Sequence, residues 1–320
     1  MSLQLFIEQL LNGIQFGFML FLMSAGLTLI FGVMGLINLA HGSFFMIGAF
    51  SASFVAGLTG NFFLAILASL IFPALIGIMV EFSIIRKLYE RDHLDQVLAT
   101  FALILIFSEA TRYIFGAFPL FLDIPNILQG NILLPGEIVY SKYRLIIIII
   151  GLFIALGLYF LINRTLLGIQ IKAGQNDRQM IRVLGINISR LYTIVFAMGA
   201  ALAGLAGALI GAIQSVEVGM GEPVLILAFV VIVIGGIGSI KGALIGALLI
   251  GVLDTMARLF LPIFFDVGVE ENNLVLLDAI HCQIYHRQFG FRYDAGSQDS
   301  VQCTPLPTQM PLQLRIEPTG

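Results

Sequence analysis

Residues 164–190 read Arg164-Thr165-Leu166-Leu167-Gly168-Ile169-Gln170-Ile171-Lys172-Ala173-Gly174-Gln175-Asn176-Asp177-Arg178-Gln179-Met180-Ile181-Arg182-Val183-Leu184-Gly185-Ile186-Asn187-Ile188-Ser189-Arg190. Five basic residues and one acid stand here, between long apolar runs on either side. A polar stretch of this length cannot lie in hydrocarbon, so it lies on a membrane face, and its excess of Arg and Lys makes that face cytoplasmic. Ala173 to Leu184 reads as a short helix that Gly185 is placed to end. Asn187 or Ser189 is placed to cap the helix that follows. A short helix held at the cytoplasmic surface suits contact with a soluble partner.

Composition sets the class around this loop. The chain has 320 residues, 59% hydrophobic and 11% charged, with a mean hydropathy of +1.01. Soluble domains average about 25% charged residues, so this is an integral membrane protein. A net charge of −3 says nothing about nucleic acid, and no basic arm or aromatic-basic patch supports such a partner, so none is expected. The two cysteines, Cys282 and Cys303, have no metal-site or disulfide-framework spacing. No Lys or Arg precedes the first apolar run and no small-residue cleavage site follows it, so a span is expected there rather than a removed signal peptide.

Apolar runs of spanning length fall near 6–32, 62–85, 97–116, 145–162 and 190–213, and shorter or glycine-broken runs near 43–59, 224–240 and 242–261. The expected fold is all-α: a polytopic membrane protein with about eight transmembrane or re-entrant helical segments, because lipid leaves no other open-ended way to satisfy backbone groups. Arg86, Lys87 and Arg91 place the 86–95 turn with 164–190 on the cytoplasmic side. The 117–144 loop balances Lys142 and Arg144 with Asp123 and Glu137, and the 214–223 loop has Glu217 and Glu222 and no base, so both face outward. If 43–59 crosses fully, parity puts Met1 outside; if it is re-entrant, Met1 is inside.

Two interruptions stand out. In 26–49, Gly32, Gly35 and Gly42 surround polar Asn38 and His41 and break an otherwise continuous apolar run. Backbone groups freed there need protein or water partners, so the break should face the bundle interior or a cavity. Asn38 and His41 are candidates to line a solute route or, as the plainer reading, to bond between helices and hold the break open. The second interruption, Gly235-Gly236-Ile237-Gly238-Ser239-Ile240-Lys241-Gly242, echoes the first, and paired broken segments in a transporter point toward its path. It is not a phosphate loop, since Ile240 precedes Lys241 and Gly242 follows where Ser or Thr should stand.

Between them, Gly199, Ala203, Gly207 and Gly211 form one i,i+4 row, with Ala200, Gly204, Ala208 and Ala212 beside it, which admits close helix approach. Gly242 with Gly246, and Ala243 with Ala247 and Gly251, repeat the device. These rows suit either the wall of a pathway or permease–permease interface, or plain bundle packing. Charges near the apolar segments are few. Glu109–Arg112 and Asp254–Arg258 can meet on one helix face, and Glu81, near Arg86, is the one carboxylate that a proton-coupled carrier could use.

Ala173, Asn176, Leu184-Gly185-Ile186-Asn187, Arg190 and Gly199-Ala200-Ala201-Leu202-Ala203-Gly204-Leu205-Ala206-Gly207 resemble the cytoplasmic loop of importer permeases in the ATP-binding-cassette class. With the 26–49 stretch they are similar, in detail, to the branched-chain amino-acid permease family. That resemblance implies an inner-membrane permease subunit carrying leucine, isoleucine and valine that is itself no enzyme and holds no cofactor, ATP being bound by partner subunits. Its implied partners are ATPase subunits, a second related permease and a periplasmic substrate-binding protein. The ATPase-coupling residues would be Ala173, Asn176, Arg178, Arg182, Leu184, Gly185, Ile186 and Asn187. The pathway candidates are Asn38, His41, Gly42, Gly235, Gly236, Gly238 and Ser239. Relatives in the family also handle urea and short amides. A secondary carrier or channel would instead want ion-coordinating carboxylates at the breaks, and an intramembrane protease or transferase would want a catalytic string that the sequence lacks.

The resemblance covers about residues 5–262, the permease domain. From 263 to 320 the composition changes to seven acids, three bases, four prolines and both cysteines. This tail is expected to be disordered, as a translated frameshift or an unrelated extension.

Overall fold

The computed structural model describes residues 3–89, 91–134, 138–177, 181, 183–265, 291–294 and 302–305. The helices are α1 (Leu3–Met34), α2 (His41–Thr59), α3 (Phe62–Ser83), α4 (His93–Phe115), α5 (Lys142–Arg164), α6 (Leu166–Asn176), α7 (Ile188–Gly211), α8 (Gly221–Gly235) and α9 (Ile240–Phe265), with a 3-10 turn at Ile85–Leu88. Seven of the described helices are long and apolar enough to cross a membrane, and α8, at 15 residues, is the short eighth segment. The expected all-helical polytopic fold and its eight segments are therefore present. In the outer loop, β1 (Asn131–Leu134) pairs antiparallel with β2 (Ile138–Ser141).

The chain divides into two units, 1–257 and 258–320. In the second, Phe291–Asp294 and Gln302–Pro305 pair as antiparallel strands. Most of the 263–320 tail lies outside the described residues.

In the first unit α1 and α7 are the most deeply buried helices. By contrast α3, α4 and α5 present apolar side chains outward, among them Met79, Leu105, Ile106, Phe153 and Phe160. In water such a surface would be an association site; against lipid it is the required one.

The packing of α7 explains its row of small residues. A Cβ on Gly26 of α1 would stand 2.6 Å from the Gly199 carbonyl oxygen. Gly204 meets Gly48 of α2 on one side and, on α3, Ser69 O and the Pro73 ring. Gly207 meets the Phe45 carbonyl of α2, and a Cβ on Gly77 of α3 would be 2.9 Å from that of Ala200. Pro73 sits inside α3 and has no N–H to give Ser69 O; that carbonyl instead faces the bare Cα of Gly204, within reach of a weak C–H···O contact. The small residues are thus spent inside this chain, holding α7 to α1, α2 and α3. On α9 they do the same: Gly251 lies against Gly17 of α1, and Gly242 against Gly235 of α8.

Orientation follows from these contacts. Arg144, at the outer start of α5, donates to Asn12 Oδ1 of α1, whereas Gly32 near the other end of α1 touches Gln175 of the cytoplasmic α6. The Leu3 end of α1 therefore lies at the same end of the bundle as the 117–144 loop, which is the outer end on the charge rule and the parity that a full crossing by 43–59 requires.

Replacing Gly207 by Val is expected to lower stability by about 1–3 kcal/mol through overpacking, read as a drop in the thermal unfolding midpoint in detergent. Gly57, with open space around its Cα, serves as the control: Gly57→Val should stay within about 0.5 kcal/mol.

Candidate functional site

The first break is a non-helical segment. Helix α1 stops at Met34, Gly35 turns the chain with φ +62°, and residues 36–40 run back into the bundle with Leu36, Asn38 and Ala40 buried and their neighbours partly open. The segment closes in a turn at Leu39–Ala40, where Ala40 has φ −69° and ψ 0° and His41 N donates to Asn38 O at 3.3 Å. Helix α2 then begins at His41, whose Nε2 is 3.3 Å from the Met23 carbonyl oxygen. Met23 lies eleven residues before the end of α1, so His41 stands about 16 Å above that end. Non-helical backbone at this depth is tolerated only when enclosed by protein or facing water, and here it is enclosed. His41 bonds between helices as the plainer reading has it. Asn38, fully buried, has no hydrogen-bond partner for either side-chain atom among the described residues, and neither has His41 Nδ1. Gly42 abuts the Gly221 carbonyl at the start of α8, where a Cβ would come within 2.8 Å.

The second break is a tight turn between α8 and α9. Gly236 and Gly238 have φ of +86° and +80°, a region closed to most side chains. Ser239 Oγ accepts from Gly242 N at 3.1 Å, capping α9. Gly235 packs directly on Gly242 and closes the hairpin.

The pathway candidates are not one cluster. Gly42 touches the first residue of α8 and the Gly235–Ser239 turn follows its last, so the length of α8, about 20 Å, separates the two groups. What does meet is the last turn of α1 and the second break: Gly238 Cα lies 2.8 Å from where a Cβ on Gly32 would be. Gln175 of α6 reaches the same point, with Nε2 2.7 Å from that position and 3.5 Å from the corresponding one on Gly238. The amide is wedged where the two breaks converge.

The cytoplasmic loop holds a helix that starts earlier than its sequence reading. Thr165 caps Leu166–Asn176 by accepting from Gly168 N at 3.2 Å, and Asp177, with extended backbone, ends it. Of the expected Ala173–Leu184 helix, Ala173–Asn176 belong to this one, Ile181 and Val183 are helical with Ile181 N donating to Asp177 O at 3.4 Å, and 178–180 and 182 lie outside the described residues. Ile181 is buried and anchors the far side, and Gly185, with φ +77°, makes the turn expected of it. Asn187 caps α7, its Oδ1 accepting from Arg190 N at 3.1 Å. Val183 and Leu184 are 83% and 69% exposed in a segment assigned to water. Asn176, Gly185 and Asn187 are exposed, Ala173 and Ile186 half-buried, and Arg178 and Arg182 lie outside the described residues.

Beside this loop lies a network that the sequence only hinted at. Glu81, at the cytoplasmic end of α3, is fully buried and ion-paired to Arg86, with Nη2 3.0 Å and Nε 3.3 Å from its oxygens. It also accepts from Tyr89 Oη at 2.7 Å and lies 2.7 Å from Thr193 Oγ1 of α7. Burial, then the bond to Glu81 and that carboxylate's charge, push the Tyr89 hydroxyl well above its ordinary range, so it remains a donor. Arg86 stacks 4.8 Å over the Phe82 ring. A carboxylate so engaged has no free face for ion coupling; it ties α3 and the turn after it to the foot of α7. Thr193 carried no signal in the sequence, being one hydroxyl on an apolar helix. Glu109 and Arg112 do meet, at 3.4 Å on an exposed surface.

On the opposite side, Leu120 and Val216 form an antiparallel bridge, with N···O distances of 3.0 and 2.8 Å, joining the two outer loops into one platform. No group of three or more metal-ligating side chains occurs among the described residues.

Residues 9–280 match the family model described as branched-chain amino acid transport system, permease component. The chain is 31% identical over 264 residues, 78% of its own length and 85% of the relative's, to the high-affinity branched-chain amino acid transport system permease protein BraD of Pseudomonas aeruginosa. It is 27% identical over 270 residues, 80% of its length and 87% of theirs, to the permease proteins LivH of Salmonella typhimurium and Escherichia coli K12. No solved structure matches the chain significantly.

Glu81→Gln is expected to cost about 1–3 kcal/mol, since it leaves a buried amide to face Arg86 and Tyr89. Thr193→Ser should be neutral, whereas Thr193→Val should couple to Glu81→Gln by at least about 0.5 kcal/mol in a double-mutant cycle read by thermal unfolding. Additive effects would mean that the two helices are not joined through this carboxylate.

Proposed function

The chain belongs to the family of permease components of branched-chain amino acid transport systems, and from that premise we propose that it moves leucine, isoleucine and valine inward on ATP hydrolysed by separate subunits. The polar cytoplasmic segment 166–187 is the docking element for an ATPase, and the bridged outer loops are the seat of a substrate-binding protein. A second, related permease completes the membrane part. The observation that carries this reading is the construction of the cytoplasmic segment: exposed Val183 and Leu184 at its tip, buried Ile181 behind them, and Gln175 wedged between the two helix breaks. A partner that grips the tip in one nucleotide state and releases it in another has different contacts in the two states, which is what a population shift requires. The wedge then delivers that bias to the end of α1 and to the non-helical turn at Gly238. The Glu81 network resists separation of α3 from α7, so the moving parts are α6 and the two breaks.

A secondary carrier is disfavoured by the same network, which consumes the one carboxylate it could have used. The family match runs to residue 280, past the expected boundary at 262, and the tail beyond the match is read as an extension or a translated frameshift; an apolar helix encoded in neither alternative frame past codon 263 would eliminate the frameshift.

Reconstitution in vesicles with its ATPases, second permease and binding protein should give ATP-dependent leucine uptake, and the chain alone should give none under an ion gradient. Gly185→Asp is expected to reduce uptake about tenfold or more by setting an uncompensated charge in an apolar contact. Gly185→Asn, which tolerates the same φ, should retain most activity. Transport by the isolated chain, or uptake of urea in place of leucine, would overturn the mechanism or the substrate respectively.

A further inference from the structure

A second feature at the cytoplasmic level lies beside the proposed docking segment and shares Lys172 with it. A cavity of about 340 Å³ opens among α1, α5, α6 and the start of α9. Its mouth holds Lys172, Lys241, Asn163 and Ser239; its depth is apolar, with Phe21, Ala155 and Leu244. No acidic side chain lines it. Lys172 Nζ donates to Asn163 Oδ1 at 2.7 Å, and Lys241 Nζ lies 5.2 Å from the centroid of the Tyr159 ring. Both ammonium groups are thus held at the rim, and neither forms an ion pair among the described residues.

The polarity is graded along the membrane normal. Asn163 is one residue from the cytoplasmic end of α5, and Tyr159 and Ala155 follow one and two turns deeper. Leu156 and Leu152 continue the stripe of Tyr159 at helical spacing and are exposed to lipid. Two cations at head-group level above an apolar slot complement an anionic amphiphile, and neither a soluble anion nor an apolar helix matches both halves. Basic pockets between membrane helices on the cytoplasmic side have this chemistry.

We propose that this cavity is a binding site for one inner-leaflet phospholipid of net negative charge, its phosphate between Lys172 and Lys241 and one chain along Tyr159, Leu156 and Leu152. Because α6 carries both Lys172 and the Gln175 wedge, an occupied site would bind the lipid to the helix that moves. The inference rests on the cavity and stands or falls apart from the transport reading.

The test is native mass spectrometry of the full-length protein, delipidated in mild detergent and titrated with phosphatidylglycerol, phosphatidylcholine or glycerol phosphate. One phosphatidylglycerol should be retained, roughly 30-fold more tightly than phosphatidylcholine, the effect of two lysines at an anionic head group. The double variant Lys172→Gln, Lys241→Gln should abolish that preference, and Lys172→Arg, Lys241→Arg should keep it; equal unfolding midpoints separate lost binding from lost fold. Equal retention of both lipids, or glycerol phosphate binding as tightly as the lipid, would overturn the proposal. So would a preference that survives the glutamine pair, or a lipid-free dimer that masks the cavity.

Discussion

The approach of α7's glycines to the backbones of α1, α2 and α3 is the contact on which the rest of this bundle depends. In lipid there is no hydrophobic drive to bring helices together, so association rests on van der Waals fit and on what little hydrogen bonding the helices can share. Gly199, Gly204 and Gly207 supply that fit at backbone distance. Only a core closed this tightly can enclose the non-helical run from Gly35 to Ala40 at membrane depth without leaving its polar groups to hydrocarbon. The break in the first helix and the small-residue rows, which look like separate features along the chain, are one device.

Polar groups within this core divide by how fully they are partnered. Glu81 is saturated by Arg86, Tyr89 and Thr193 and behaves as a rivet between α3 and α7. Asn38 is the reverse, with neither side-chain atom partnered. A saturated group resists movement, since any displacement uncovers charge; an unsaturated one leaves bonding capacity for another arrangement. The two lie in different parts of the bundle, which separates a rigid half built on α3 and α7 from the region where both helix interruptions meet α6.

Gln175 connects these parts. It belongs to a helix at the water interface, yet its amide lies between Gly32 and Gly238, one from each interruption. A side chain at Gly32 would displace it, whereas one at Gly238 would only touch it. A displacement of α6 therefore acts on the last turn of α1, just before the first interruption, and on the second interruption itself.

Much of this was legible in the chain alone. Segment count, Gly185 as a turn, Asn187 as a cap and the interruptions near Gly35 and Gly236 follow from hydropathy, capping chemistry and glycine placement. These are local or one-dimensional properties, set by the contrast between water and lipid and by φ. Tertiary structure decided what depends on partners distant in sequence. It started a helix at Leu166, where Thr165 caps it, ahead of the Ala173 start that the sequence suggested. It also divided the pathway candidates into two levels about one short helix apart, spent the glycine rows within the chain, and joined Glu81 to Thr193 across 112 positions. No local pattern encodes such pairings, because the free energy of a buried carboxylate or a backbone-close contact is defined only once the opposing helix is in place.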